Sequence, residues 1–169
     1  QLDRALPLSE RALELSCLLQ FHELGWECVD VEHEHEHSSE LGRKDFEEVV
    51  LTKYLKPRLE SLNPDASMEA IDQAVQFLTD DKTVMQTVVA NKEIYTALKE
   101  GVKVTYLDKE GSQQTDRINV IDWKKSSNNH FLVVSQMNIR GSLGKKIPDL
   151  IGFVNGIPLL FVELKAASV

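Results

Sequence analysis

The sequence predicts an α+β fold, with helices over about residues 1–100 packed on a mostly antiparallel or mixed sheet drawn from about residues 101–169. Two observations carry this. Apolar residues recur at helical spacing up to Gly101, and alternate or run together after it. An Asn155-Gly156 pair then stands between two apolar runs, the strongest short-range signal of a β-hairpin. Helices first and strands second favour segregated layers over alternating βαβ units.

In chain order, the first helix is expected from Leu8 to Leu24, with Leu8, Ala12, Leu15, Leu18 and Leu19 at helical spacing. Ser9 reads as its N-cap and Gly25 as its stop. Gly25 to Val29 turns into a short extended piece. Residues 30–42 are polar and read as a solvated loop, although His33, His35 and His37 alternate with glutamates in a way that invites a zinc reading. No fourth ligand with helical or cysteine spacing accompanies them. Arg43 to Leu62 again has helical spacing, through Phe46, Val49, Val50, Tyr54, Leu55 and Leu59, and Asn63-Pro64-Asp65 breaks it. Ser67 opens a third helix carrying Ala70, Ile71, Ala74, Phe77 and Leu78. A fourth runs from Thr83 to Lys99, carrying Val84, Val88, Tyr95 and Leu98, with Gly101 as its C-cap. Strands are then expected from Val102 to Tyr106, Arg117 to Trp123, Phe131 to Ser135, Leu150 to Val154 and Leu159 to Leu164, with turns at 109–112 and 128–129.

The 169 residues, 42% hydrophobic and 27% charged, suit one domain able to bury a core without disulfides or metal. No apolar run approaches the ~20 residues of a membrane span. The opening Gln1-Leu2-Asp3-Arg4 does not read as a signal peptide, and a start other than Met fits a natural N-terminus upstream. The net charge of −8 argues against holding nucleic acid by bulk charge, but not against cutting it, because metal-binding carboxylates are themselves acidic. Cys17 and Cys28 lack metal spacing and, without an export signal, fit a reducing cytoplasm.

The chemistry concentrates in the C-terminal hairpin, Pro148 to Lys165. Its strands read as buried on both faces, yet Asp149, Glu163 and Lys165 interrupt them. Burying charge costs several kcal/mol unless it is paired or metal-bound. Glu163 and Lys165, two apart, share one face of a strand. Asp149 joins them only if it stands opposite Glu163. A plain two-residue Asn155-Gly156 loop would turn Asp149 to the other face, so a three-residue loop or a bulge is expected. Two carboxylates beside an ammonium suit a hard cation such as Mg²⁺. The backbone carbonyl of Leu164 is a further candidate ligand, and Lys165 could orient or deprotonate the attacking water. The alternative is a salt bridge at a strand end.

Pro148-Asp149 followed by Glu163-Leu164-Lys165 resembles the PD-(D/E)xK nuclease signature. The surrounding run, from Asp149 to Leu159 and then Val162 to Lys165, is similar to the N-terminal nuclease domain of type I restriction enzyme R subunits. Further stretches agree: Leu24-Gly25-Trp26, Gly42-Arg43, Leu62-Asn63-Pro64, Leu98 to Val102, Ile121-Asp122-Trp123 and Asn129-His130-Phe131. The resemblance implies a restriction-endonuclease-like core that cuts double-stranded DNA. Asp149 and Glu163 would hold Mg²⁺, with Mn²⁺ as a substitute, and Lys165 would be catalytic. Glu10 would be an accessory acidic residue on the first helix, and Gln136 would lie near the site. Methyltransferase and specificity subunits would be partners, in the cytoplasm and away from any membrane. ATP would act through motor domains absent here, since Gly141 to Lys146 lacks P-loop spacing. The family's core continues past the lysine, so the chain reads as an N-terminal piece of a longer one, not necessarily active alone.

Arg140, Lys145 and Lys146, set among glycines, are candidates for DNA-phosphate contact. Two rivals stand beside this reading: a docking module for partner subunits with a structural ion pair in the hairpin, and a repair or mobile-element nuclease of the same superfamily.

Overall fold

A computed structural model describes residues 9–80, 87–141 and 144–165. Leu8, Thr83 and Val84 of the expected helices, and the side chain of Val88, lie outside this description.

Helix α1 spans Glu10–Glu23. The Ser9 hydroxyl accepts the Ala12 N–H at 3.2 Å, as expected of an N-cap, a contribution of about 1 kcal/mol. The helix does not bury the leucine stripe. Leu15 and Leu19 are exposed, and the buried side chain is Glu14. Apolar residues lie on several sides of α1, so periodicity could not select a face. Contacts do: Phe21 meets Trp26, and Trp26 meets Phe131, each with ring centroids 5.1 Å apart.

Strand β1, Glu27–Asp30, leads into the polar segment, which is a loop as expected. The loop is built around a buried ion pair. Arg43 and Glu34 are almost wholly enclosed and joined by two guanidinium hydrogen bonds, one from Nε at 2.8 Å. The Ser39 hydroxyl donates to the same carboxylate, and the guanidinium lies over the Phe46 ring at 5.1 Å. The helix expected from Arg43 therefore begins only at Thr52: α2 is Thr52–Leu62. Asp45 accepts the N–H groups of Glu47 and Glu48, a local turn that competes with helix.

Helix α3, Met68–Thr79, starts at the Ser67 cap as expected. Helix α4 is Thr87–Glu100. Tyr95, expected on its apolar face, is exposed. Gly101 ends α4 at φ +89°, and a Cβ there would come within 2.7 Å of the Ile118 carbonyl, so only glycine fits. Strands β2, Val102–Leu107, and β3, Gln113–Ile118, form an antiparallel pair beside α3. The strand expected over 117–123 thus comes earlier, because β2 pairs with 113–118. Asp122 instead folds the chain back, accepting the N–H groups of Lys124 and Lys125. The core of this half joins Leu55, Leu59, Ile71, Leu78, Val104 and Ile118.

Strand β4 is Phe131–Ser135. Two short strands, β5 (Ile139–Gly141) and β6 (Gly144–Lys146), pair with each other. Strand β7 is Leu150–Val154 and β8 is Ile157–Val162. The main sheet has the order β1-β4-β7-β8, with β1 parallel to β4 and the other pairs antiparallel, so it is mixed. One face packs against the polar loop through Leu41, Leu51, Leu132, Val134, Ile151 and Phe153. The architecture is α+β, as the sequence predicts.

The β7–β8 turn joins the two cores. Asn155 (φ +52°) and Gly156 (φ +81°) make a two-residue turn with both residues left-handed, as a primed hairpin turn requires. This turn is interior. The Asn155 amide donates to Val120 O at 2.8 Å and Asn129 Oδ1 at 2.9 Å, and its Oδ1 accepts the His130 N–H at 2.7 Å. A Cβ at Gly156 would stand 2.5 Å from the Leu51 carbonyl.

Candidate active site

The site is assembled at the other end of the same hairpin. Near the turn, Val154 faces Ile157 and Phe153 faces Pro158. The register then shifts between Gly152 and Phe153, so that Gly152 faces Leu160 and Leu150 faces Val162. The three-residue loop is therefore not formed; the alternative, a bulge, supplies the extra residue. Continued by one step, the shifted register sets Asp149 opposite Glu163. Asp149 also reaches the other strand directly, its Oδ2 accepting the Leu164 N–H at 2.6 Å. That peptide lies between Glu163 and Lys165. The link is made through the Leu164 N–H; its carbonyl was the expected metal ligand.

The two-residue turn starts strand β8 at Ile157, and the strand ends at Val162, two residues before the expected limit. Glu163 and Lys165 follow the strand and are exposed, while Asp149 is half-buried. The expectation that both hairpin strands are buried on both faces holds for β7 but not for β8. Leu159, Leu160 and Phe161, on the edge strand of the main sheet, are 45%, 39% and 56% exposed. The ion pairs of the described residues lie elsewhere, at Arg11, Arg43, Lys56, Arg117, His130 and Arg140. No group of three metal-ligating side chains stands preassembled among the described residues. The donors present are hard oxygens: the Asp149 carboxylate, of which the bond to Leu164 engages Oδ2, and the exposed Glu163 carboxylate. This set suits Mg²⁺ completed by waters and phosphate oxygens.

Gln136 lies directly beyond β4 with φ +57°, a left-handed backbone unusual for glutamine. Its N–H donates to the Asp149 carbonyl at 3.1 Å. Its side-chain amide donates to Glu14 Oε2 at 3.0 Å. Glu10 is exposed in the first turn of α1; the helix carboxylate that reaches the Asp149 end of the sheet is Glu14, one turn later. Periodicity hid it, since a glutamate between leucines reads as solvent-facing. Arg11 donates to Glu14 Oε1 at 2.7 Å and to Asp30 Oδ2 at 2.9 Å. Burial acts to raise the Asp30 pKa, but the Glu32 N–H and Arg11 outweigh it and hold that carboxyl below its ordinary value.

Of the basic candidates, Lys145 and Lys146 are exposed on β6. Arg140 is partly committed, pairing with Glu36 at 2.5 Å and lying 5.7 Å from the Phe46 ring centroid. The histidines of the polar loop join no three-residue metal group among the described residues. Cys17 and Cys28 are both free, and burial raises each thiol pKa.

Residues 7–169 match the family described as Type I restriction enzyme R protein N terminus. The chain belongs to this family. The R protein N-terminus match takes in α1, the polar loop and the whole hairpin. The chain is also 35% identical, over 94% of its length, to the type I restriction enzyme HindI endonuclease subunit of Haemophilus influenzae, of which it covers 15%. Two proteins of Methanocaldococcus jannaschii assigned as type I restriction enzyme endonuclease subunits, MjaIXP and MjaVIIIP, are each 25% identical, over 79% and 71% of the chain. The chain thus spans about a seventh of the length of the first relative. No helix among the described residues is long and apolar enough to cross a membrane.

Proposed function

We propose that this R protein N-terminal domain is a Mg²⁺-dependent DNA endonuclease with a restriction-endonuclease-like core, centred on Asp149, Glu163 and Lys165. One observation carries the reading: the bulged register and the Asp149–Leu164 hydrogen bond draw all three residues to one end of the hairpin. The docking alternative expects a carboxylate–ammonium pair there, whereas the described ion pairs lie elsewhere.

Asp149 and Glu163 would hold the cation, with the Leu164 carbonyl as a further oxygen and Mn²⁺ as a substitute. When bound, the ion lowers the pKa of a water and offsets charge building on the phosphoryl group. Lys165, two residues from Glu163, would orient the attacking water or stabilise the transition state by charge. The Leu164 N–H fixes one oxygen of Asp149, which orients the carboxylate before substrate arrives. Lys145 and Lys146 would meet the DNA backbone, a contact without base specificity. Double-stranded DNA is the substrate. Methyltransferase and specificity subunits are the proposed partners, and ATP-driven translocation would belong to motor domains elsewhere in the R subunit.

The test uses the intact R subunit in its assembled complex. Asp149→Ala and Lys165→Ala are each expected to abolish DNA cleavage while ATP hydrolysis persists. Cleavage at the parent rate by either variant would refute the assignment.

A further inference from the structure

Trp123 is 66% exposed, yet its ring is anchored: the indole N–H donates to the Leu98 carbonyl at 2.9 Å. That carbonyl belongs to the last turn of α4, where helix C=O groups lack partners within the helix. The bond orients the indole while leaving ring surface in water. Tyr95, on the same helix, is 62% exposed, and the Lys99 ammonium lies 5.7 Å from its ring centroid. Rings of this size are ordinarily buried for the apolar area they remove from water.

Cations surround the two rings. Lys99, Trp123 and Lys124 line one open cleft of about 410 Å³, together with Leu98, Asn119 and Asp122. Lys125 follows in the same turn, and all three lysines are exposed. They make none of the ion pairs of the described residues. Asp122 lies near Lys124, but its carboxylate is engaged by the Lys124 and Lys125 N–H groups and the Asn128 amide. Val120 also lines the cleft, and its carbonyl accepts the Asn155 amide. The cleft therefore adjoins the turn end of the β7–β8 hairpin, away from Asp149.

Lysines set among exposed aromatic rings match a single strand, whose phosphates meet the ammonium groups while unpaired bases stack on the rings. Lysine is depleted in protein–protein interfaces, so this composition disfavours a protein partner. A duplex keeps its base faces stacked on one another and offers the rings nothing. We infer that Trp123 and Tyr95, with Lys99, Lys124 and Lys125, form a binding strip for single-stranded DNA. A base stacks on the tethered indole, and the lysines hold the flanking phosphates. The strip shares no residue with the proposed metal centre and does not depend on it.

The probe is an oligothymidylate carrying 5-iodouracil, photocrosslinked to the intact R subunit. The adduct at Trp123 is located and quantified by peptide mass spectrometry as oligonucleotide and salt are varied. An adduct at Trp123 is expected, with unlabelled single strand competing about tenfold better than a duplex of the same length. The triple variant Lys99→Gln, Lys124→Gln, Lys125→Gln is expected to keep the parental melting temperature, since all three side chains are exposed. Its slope of log affinity against log salt should fall by about 2, because each single-strand phosphate contact contributes about 0.7. Asp149→Ala should crosslink at Trp123 as the parent does. Absence of the Trp123 adduct, an unchanged salt slope in the triple variant, equal competition by duplex, or loss of the adduct in Asp149→Ala overturns the inference. So does a Trp123→Ala subunit that binds the oligothymidylate with parental affinity but fails to join the assembled complex, the result a protein-docking surface would give.

Discussion

The two ends of the β7–β8 hairpin use their polar groups in opposite ways. At the turn, Asn155 is fully buried and its side chain is spent on Val120, Asn129 and His130. Gly156 admits no side chain. At the open end, Asp149 makes one short bond across the strands, and Glu163 and Lys165 face solvent. The turn is locked to both cores, so it holds the strands in a fixed bulged register. The open end inherits that register while keeping its charges free for a ligand. Satisfied polar groups stabilise and position; unsatisfied ones at a rigid strand end are what chemistry can use.

Substitutions can break or sharpen this contrast, here in order of their effect on stability. Arg43→Ala strands Glu34 as a buried charge in the loop that supports the turn, through the bond from Leu51 N–H to Gly156 O. A loss of about 3–5 kcal/mol is expected in urea unfolding with an unchanged slope. Asn155→Ala removes three buried hydrogen bonds and should cost about 2–3 kcal/mol by the same measurement. At the open end, Glu163→Gln should change stability by no more than about 0.5 kcal/mol while DNA cleavage is lost. A large loss of stability there would mean that the open end is structural after all. The smallest effect concerns Asp122, whose carboxyl is held below its ordinary pKa by the Lys125 N–H, the Asn128 amide and the Lys124 N–H. A lowered folded-state pKa contributes stability above the ordinary carboxylate value and loses it as pH falls towards the folded value. Below about pH 4, the parent should therefore lose stability more steeply than Asp122→Asn in acid titrations followed by circular dichroism.

Several elements were legible because their signals are local. The Ser9 and Ser67 caps, the Asn63-Pro64 break, the Gly101 stop and the Asn155-Gly156 turn each depend on a few adjacent residues. The strands Phe131–Ser135 and Leu150–Val154 emerge at their expected limits because both are buried apolar runs. Other elements moved. Residues 43–51 have helical spacing, but Arg43 is consumed by Glu34 and Asp45 turns the chain, so the apolar residues dock a loop. The strand expected over 117–123 slid to 113–118 to pair with β2. At the candidate site, Asp149, Glu163 and Lys165 stood out as charges in apolar strands, and parity showed that a clean turn could not unite them. Glu14 gave no such signal, because helical spacing does not say which face a weakly patterned helix buries.

The sequence alone determined the α+β class, the family and the identity of the charged trio, since these follow from residue types at short spacing. It also required a bulge or an odd loop if the trio was to share one end. Only the tertiary structure decided that the bulge forms while the turn keeps two residues, that the turn is buried, and that Glu14 and Gln136 meet across the sheet. Those outcomes depend on burial and on partners distant in the chain: Leu51 against Gly156, Val120 and Asn129 against Asn155, α1 against the end of β4. No local pattern encodes which distant group will satisfy a buried donor or fill the space beside a glycine.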